Sequence, residues 1–295
     1  MISSMLNNLS VIIPIRNMEY EITNLLDEIS YLTSKETQVI LVDDGSTDST
    51  FEILQDLKLK LSNSENLNIV SQSHHGPGSA RNSGFALANR EYVAFWDSDD
   101  LRFLHNLEKL FQSGFKEDML VAEYVKKYEL VNKLFKVKRN FLNLNSLVSD
   151  GGLWRIVFKR NFILEIRFPS TYSGEDLTFL ARCILLDPSI AWSDLVIYEY
   201  NNKRVDQITK NKRYLESTIE SCLLLLNEIS VLPNKKNVRQ AGVIAIKLMK
   251  TSVQASIMNN AKLIYKFLAK IGIYRVSRLF INLTISLLIL IFSRR

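Results

Sequence analysis

Three acids, Asp97, Asp99 and Asp100, follow directly on Tyr92-Val93-Ala94-Phe95-Trp96, a run suited to a buried strand. Like charges crowded at a strand mouth repel one another, so the arrangement asks for a cation. Two carboxylates two residues apart, where the chain leaves the pleat, can turn toward one point. Hard oxygen ligands of this kind suit Mg2+ or Mn2+, which are usually held by one or two carboxylates together with substrate phosphates. The plainer alternative is a solvated loop in which Asp99 caps a helix over residues 101–111.

Other stretches offer related chemistry. In Val42-Asp43-Asp44-Gly45-Ser46-Thr47-Asp48-Ser49-Thr50, Asp48 or Ser49 could cap a helix from residue 51. Asp43 and Asp44 lie earlier, where no cap is needed, and could accept hydrogen bonds from a base or a ribose. The segment 74–84 has glycines ahead of a helix N-terminus, a natural place for anions. Arg81 within it could give phosphate a charge-assisted bond, or could sit on a solvated face. His74 and His75 have no partner at ligand spacing and read as exposed loop. Glu175 and Asp176 open another helix; one of them can serve as general base, or Ser173 and Glu175 can simply cap it.

The elements that must position these groups follow from periodicity. Residues 11–15, 39–42 and 68–72 read as strands, as does the run before Asp97. Residues 20–32, 51–61 and 79–90 carry helical spacing between them. Strand and helix in alternation predict a parallel sheet with crossover helices, whose ligands sit outside the carboxyl ends of the strands. Three such ends carry the polar clusters: Pro14 to Asn17, Asp43 to Ser46 and Asp97 to Asp100. Beyond, residues 120–139 read as a hairpin and 151–163 as a strand into a short helix. A turn and then a helix follow at 171–187, a strand at 190–202 and helix from 214 on.

Taken in order, VIIPIRN (11–17), VDDGSTDST (42–50), GPGSARNSGFALANREYVAFWDSDD (76–100) and GEDLTF (174–179) resemble the family 2 glycosyltransferases, over roughly residues 9–205. The resemblance implies the α/β GT-A fold, a Rossmann-like, mostly parallel central sheet with flanking helices, here followed by a C-terminal helical extension. It implies that Asp97 and Asp99 bind Mn2+ or Mg2+ bridging the diphosphate of a nucleotide-sugar, a UDP-sugar by family habit. Pro14, Asn17, Asp43 and Asp44 would line the nucleotide pocket, with Ser98 on the donor side and Arg81 near the base or phosphates. Arg204 would meet the diphosphate. Asp176 matches the catalytic base of inverting members, with Glu175 and Asp100 at the acceptor or in support. The chain departs from the family at Arg16, where an aromatic residue is common, and at Val205-Asp206-Gln207, where a small Gly-Ser pair is frequent. It also lacks the QxxRW segment of processive synthases, which implies addition of one sugar or a few. Two other readings are a nucleotidyltransferase and a GT-A binding protein without activity. The stretch after the first strand is not a basic Gly-rich loop, which lowers the former; all the expected acids are present, which counts against the latter.

Charge divides the chain. No acid follows Glu228, and 12 of the 37 basic residues lie from Lys235 to Arg295, leaving 25 against all 31 acids in the part before. This predicts an acidic catalytic domain, residues 1–212, and a basic helical region, 213–295, that meets something anionic. Residues 279–292 hold 14 uncharged residues, about 21 Å of helix against a hydrocarbon core of roughly 30 Å. With arginines on both flanks, a helix over 275–293 is expected to lie in the inner face of the cell membrane rather than cross it. Lys262, Lys266 and Lys270 stripe one helical face toward anionic lipid. The alternative is packing on the domain or on a second copy in a homodimer; no stacking pattern points to nucleic acid. Cys183 and Cys222 have no metal spacing and read as reduced core thiols of a cytoplasmic protein. Residues 9–15 read as a first strand rather than a secretory leader.

Overall fold

Residues flanked by apolar layers on both sides should be apolar throughout, and the first strands are. In the computed structural model, which describes residues 5–128 (21 and 62 excepted), 133–136, 144, 147, 152–201 and 212–230, β1 (Leu9–Ile15), β2 (Gln38–Asp44), β3 (Leu67–Gln72) and β4 (Tyr92–Phe95) pair in parallel. Their order is β3-β2-β1-β4. Side chains alternate across the sheet. Ile12, Ile40 and Val42 join one core with α3 (Pro77–Leu87), α5 (Glu175–Leu185) and α6 (Lys212–Ser230). Val11, Ile13, Val39 and Leu41 join the other with α1 (Thr23–Ser34), α2 (Thr50–Lys60) and α4 (Leu104–Ser113). Each fully buried aliphatic contributes about 1.5–3 kcal/mol.

Past β4 the pairing changes sense. β8 (Ile156–Lys159) lies antiparallel between β4 and β6 (Met119–Tyr128). β9 (Ile190–Asn201) runs parallel to β6, and β7 (Lys133–Lys136) forms the expected hairpin with it. β5 (Leu101–Arg102) pairs antiparallel with β9, giving nine strands among the described residues.

The helix expected from residue 101 therefore begins later. Residues 101–102 are strand, the Phe103 N–H donates to the Ile197 carbonyl, and Phe103 holds the cap position of α4. Asp99 does not cap it. The helix expected to start near Ser173 begins at Glu175 behind Gly174, whose φ of 76° is left-handed. Neither Ser173 nor Glu175 caps it. Ser173 Oγ instead bonds Thr218 Oγ1 at 2.8 Å, and the Ser217 hydroxyl accepts the Tyr172 N–H at 2.6 Å. The near part of α6 thus ties down the approach to Glu175.

Cys183 and Cys222 are buried free thiols, and burial pushes both upward, Cys222 to about 12. Among the described residues, no helix is long and apolar enough to cross a membrane. Arg204, residues 205–207 and the basic stretch beyond 230, including 275–293, lie outside the described residues.

Candidate active site

The loops after β1 and β2 clasp each other. Asn17 adopts a left-handed φ of 51°, which asparagine tolerates. Its N–H donates to Ser46 Oγ at 3.0 Å and its Oδ1 accepts the Thr47 N–H at 2.9 Å. The Met18 N–H reaches Thr50 Oγ1 at 2.7 Å, and the Ser49 N–H reaches Glu19 Oε2 at 3.0 Å. Ser49 holds the cap position of α2 without a side-chain bond, and Asp48, one residue earlier, accepts the Thr50 N–H at 3.1 Å. Pro14 lies half-buried in β1 and Arg16 is exposed. The clasp makes one rigid wall of two strand ends.

Asp43 and Asp44 are buried and already hydrogen-bonded. Asp43 accepts from the Ser46 N–H at 3.2 Å and the Ser71 hydroxyl at 3.1 Å. Asp44 accepts from Gln72 Nε2 (2.8 Å), the His75 and Gly76 N–H groups (each 2.9 Å), and pairs with His74 Nδ1 at 2.7 Å. Burial alone would raise the Asp44 carboxyl. Its hydrogen bonds, led by the His75 N–H, outweigh that and hold it below the usual aspartate range. The histidine pair is exposed, as its sequence suggested, yet His74 is bound to this carboxylate. A ligand would meet Asp44 as part of a fixed turn.

The acids of 97–100 separate into two kinds. Asp100 points inward, 4% exposed. It accepts from the Tyr198 hydroxyl and the Asn201 N–H, each at 2.7 Å. Burial, then the charges of Asp97 and Asp99, push its carboxyl up to about 8. Arg102 donates to the carbonyls of Asp97 (2.9 Å) and Asp100 (2.7 Å), pairs with Glu28 and lies over the Trp96 ring. The Tyr198 ring is stacked on Trp154 at 4.3 Å, and its oxygen also receives the Asp97 N–H at 3.3 Å. The turn is thereby pinned from within, and Asp97, Ser98 and Asp99 remain half-exposed.

Arg81 joins the parts. It is buried rather than on a solvated face. Nη2 donates to Asp97 Oδ1 at 2.7 Å and Nη1 to Glu175 Oε1 at 2.8 Å. Burial opposes its charge, but Asp97, Glu175 and Asp176 raise its pKa and keep it protonated. Glu175 is pushed up to about 7 by burial and by Asp176 beside it, against the pull of Arg81. Asp176 is half-exposed in the first turn of α5 and accepts the Leu177 N–H at 2.7 Å. One guanidinium thus bridges Asp97 and Glu175, with the half-exposed Asp176 next to Glu175 in the chain.

The residues fit a divalent ion in part. Asp97 and Asp99 offer hard oxygens at a half-exposed turn, and Arg81 bonds one oxygen of Asp97, Oδ1. No group of three or more ligating side chains that could hold a metal ion forms among the described residues.

The family model "Glycosyl transferase family 2" matches residues 10–162. The chain belongs to glycosyl transferase family 2. That match takes in the clasped loops, Asp43, Asp44, Arg81 and residues 97–102, and leaves out Glu175, Asp176, Tyr198 and Asn201. The chain is 24% identical over 218 residues to glycosyltransferase GlyA of Streptococcus pneumoniae, covering 67% of this chain and 31% of GlyA. It thus spans about a third of that curated relative's length. Among solved structures, it resembles S. aureus TarS residues 1–349 in complex with UDP-GlcNAc, with TM-score 0.63, 22% identity and coverage of 85% and 74% of the two chains. It also resembles the mannosyltransferase PcManGT of Pyrobaculum calidifontis in complex with GDP-Man and Mn2+, with TM-score 0.53, 15% identity and coverage of 98% and 88%. These likenesses establish the GT-A fold for this family 2 chain.

Sequence reasoning missed Tyr198, Arg102 and Glu28. A buried tyrosine must satisfy its hydroxyl, so Tyr198 in an apolar strand carried a signal that something polar lay opposite. The Arg102–Glu28 pair, 74 residues apart, carried none.

Proposed function

We propose that the chain transfers one sugar, or a few, from a nucleotide-sugar to a hydroxyl of a glycan or lipid-linked acceptor, with inversion. A UDP-sugar is the first donor to consider, with Mn2+ or Mg2+ as cofactor. One observation carries the reading: buried Arg81 ties Asp97 of the strand-end turn to Glu175, the neighbour of Asp176 at the head of α5, at the sheet edge where the clasped loops of β1 and β2 also end. The complexes of TarS with UDP-GlcNAc and of PcManGT with GDP-Man and Mn2+ support a nucleotide donor and a divalent ion.

Asp97 and Asp99 would hold the ion, which when bound supplies positive charge against the diphosphate. Pro14, Asn17, Asp43 and Asp44 shape the wall for the nucleotide, and Ser98 faces it from the turn. Asp176 accepts the proton of the acceptor hydroxyl. The acceptor oxygen bonds to the anomeric carbon from the face opposite the diphosphate, and the bond to the diphosphate breaks with its electron pair. One displacement inverts configuration. Arg204 would offer the departing diphosphate a further donor. Residues 1–212 are the catalytic unit, and α6 (Lys212–Ser230) completes its core. The basic region 213–295, through a helix at 275–293, would hold the enzyme on the anionic cytoplasmic face of the membrane, near lipid-linked acceptors of surface polysaccharide synthesis.

The test is thermal unfolding against a panel of nucleoside diphosphates and their sugars, each with Mn2+ or with EDTA. A ligand of the folded state raises the midpoint by mass action. One nucleotide stabilising the protein only with metal is the expected result. A folded sample that responds to none would overturn the reading in favour of an inactive relative.

A further inference from the structure

Glu175 stands next to Asp176 in the chain but faces the other way in its bonding. It is 7% exposed and, as the first residue of α5, packs against α3. A Cβ on Gly78 would lie 3.1 Å from its Cγ, 3.2 Å from its Cβ and 2.7 Å from the Pro169 carbonyl, so only glycine leaves it this space. A carboxylate packed so tightly has no room to swing toward an acceptor. Its Oε1 takes Arg81 Nη1, and Arg81 Nη2 takes Asp97 Oδ1. Arg81 is itself 6% exposed, and its guanidinium lies 5.5 Å over the Phe168 ring. Three elements, 94 residues apart at the extremes, are fixed by this one fork.

We propose that Glu175 is a positioning residue of the donor side, which acts through Arg81 on Asp97 rather than on the acceptor. Two physical effects follow. A guanidinium paired with Asp97 alone would neutralise it and compete with a cation for it; sharing the guanidinium with Glu175 leaves Asp97 more of its charge. The fork also fixes the rotamer of Asp97 by holding one oxygen, which leaves the second for a ligand. The neighbouring acids of α5 thus divide the work: Glu175 serves the donor side and Asp176 the acceptor side. This inference rests on the reading of Asp97 as a cation ligand given above.

The experiment titrates Mn2+ into the full chain at fixed UDP, with thermal unfolding as the readout, for wild type, Glu175→Gln, Glu175→Asp and Arg81→Lys. Glu175→Gln keeps the size and an acceptor for Arg81 but removes the charge. It should raise the half-saturating Mn2+ concentration by roughly tenfold or more, the usual effect of removing a residue that supports a metal ligand. Glu175→Asp, which keeps the charge, should recover part of that loss. A role in packing alone would lower the midpoint in EDTA and leave the Mn2+ concentration dependence unmoved, and that result would overturn the proposal. If Glu175→Gln does not fold, Arg81→Lys carries the test, since it keeps the charge but loses the fork; wild-type Mn2+ dependence there would equally overturn it. If wild type shows no Mn2+-dependent response to UDP or any other nucleoside diphosphate, the reading of Asp97 fails and this inference goes with it.

Discussion

Asp176 and Asp44 show how differently two aspartates can be used in one site. Asp176 is half-exposed, accepts the Leu177 N–H, and lies close enough to raise the pKa of Arg81 and Glu175. Replacing it by asparagine keeps its shape and removes the proton acceptor. Transfer should fall by about 100-fold or more, the range for a lost general base, while nucleotide binding stays at the wild-type level. Normal transfer by Asp176→Asn would place the base elsewhere. Asp44 is the opposite case, a carboxylate with both oxygens engaged by its own turn. Its folded pKa is depressed below the unfolded value, so its contribution to stability is present above the unfolded pKa, near 3.9, and is lost as pH falls through the folded one. Denaturant midpoints measured from pH 6 down to pH 3 should therefore decline. Asp44→Asn should be less stable than wild type at pH 6 and decline less steeply; parallel curves would remove Asp44 as a source of the slope.

At the scale of elements, α3 matters most, because it carries Arg81 and seals the sheet behind the site. Its closeness to the strands depends on Gly84, where an added Cβ would lie 2.5 Å from Ile12 Cγ2 and 3.2 Å from Val42 Cγ2. Both neighbours are buried branched side chains with no room to retreat. Gly84→Ala should cost about 1–3 kcal/mol by overpacking, read as a lower unfolding midpoint. It should also weaken nucleotide binding, because α3 would be lifted together with Arg81. An unchanged midpoint would mean that the helix is free to shift on the sheet. The turn at 97–100 is held in a comparable way by β5, β9 and Arg102, so the second half of the sheet serves chiefly to brace the first.

For the whole molecule, the catalytic part is a single sheet with a core on each face, and the charge of the chain is segregated past Glu228. The proposal for the basic region is tested by deleting residues 275–295 from the full chain. The truncated protein should move from the membrane pellet to the supernatant while retaining donor binding. If it stays in the pellet, another segment is the anchor. If wild type is itself in the supernatant and the deletion halves its mass in solution, the helix joins two copies.

What the sequence determined by itself was whatever depends on local order. Apolar runs of strand length ending in acids, with helical spacing between them, placed four strands and three helices in a parallel sheet, because period and length are properties of neighbours along the chain. They also brought the strand-end acids to one edge. The fate of each acid was decided only by tertiary structure. Asp97, Asp99 and Asp100 look alike in sequence, yet Asp100 turns inward because Tyr198 and the Asn201 N–H wait there, about 100 residues away. Arg81 reads as a helix-surface residue until Asp97 and Glu175 arrive from β4 and α5. Pairings at such separations leave no periodic trace, since each partner satisfies its own local pattern equally well with or without the other. A burial cost that no neighbour in sequence can offset is met by whichever charge the fold delivers.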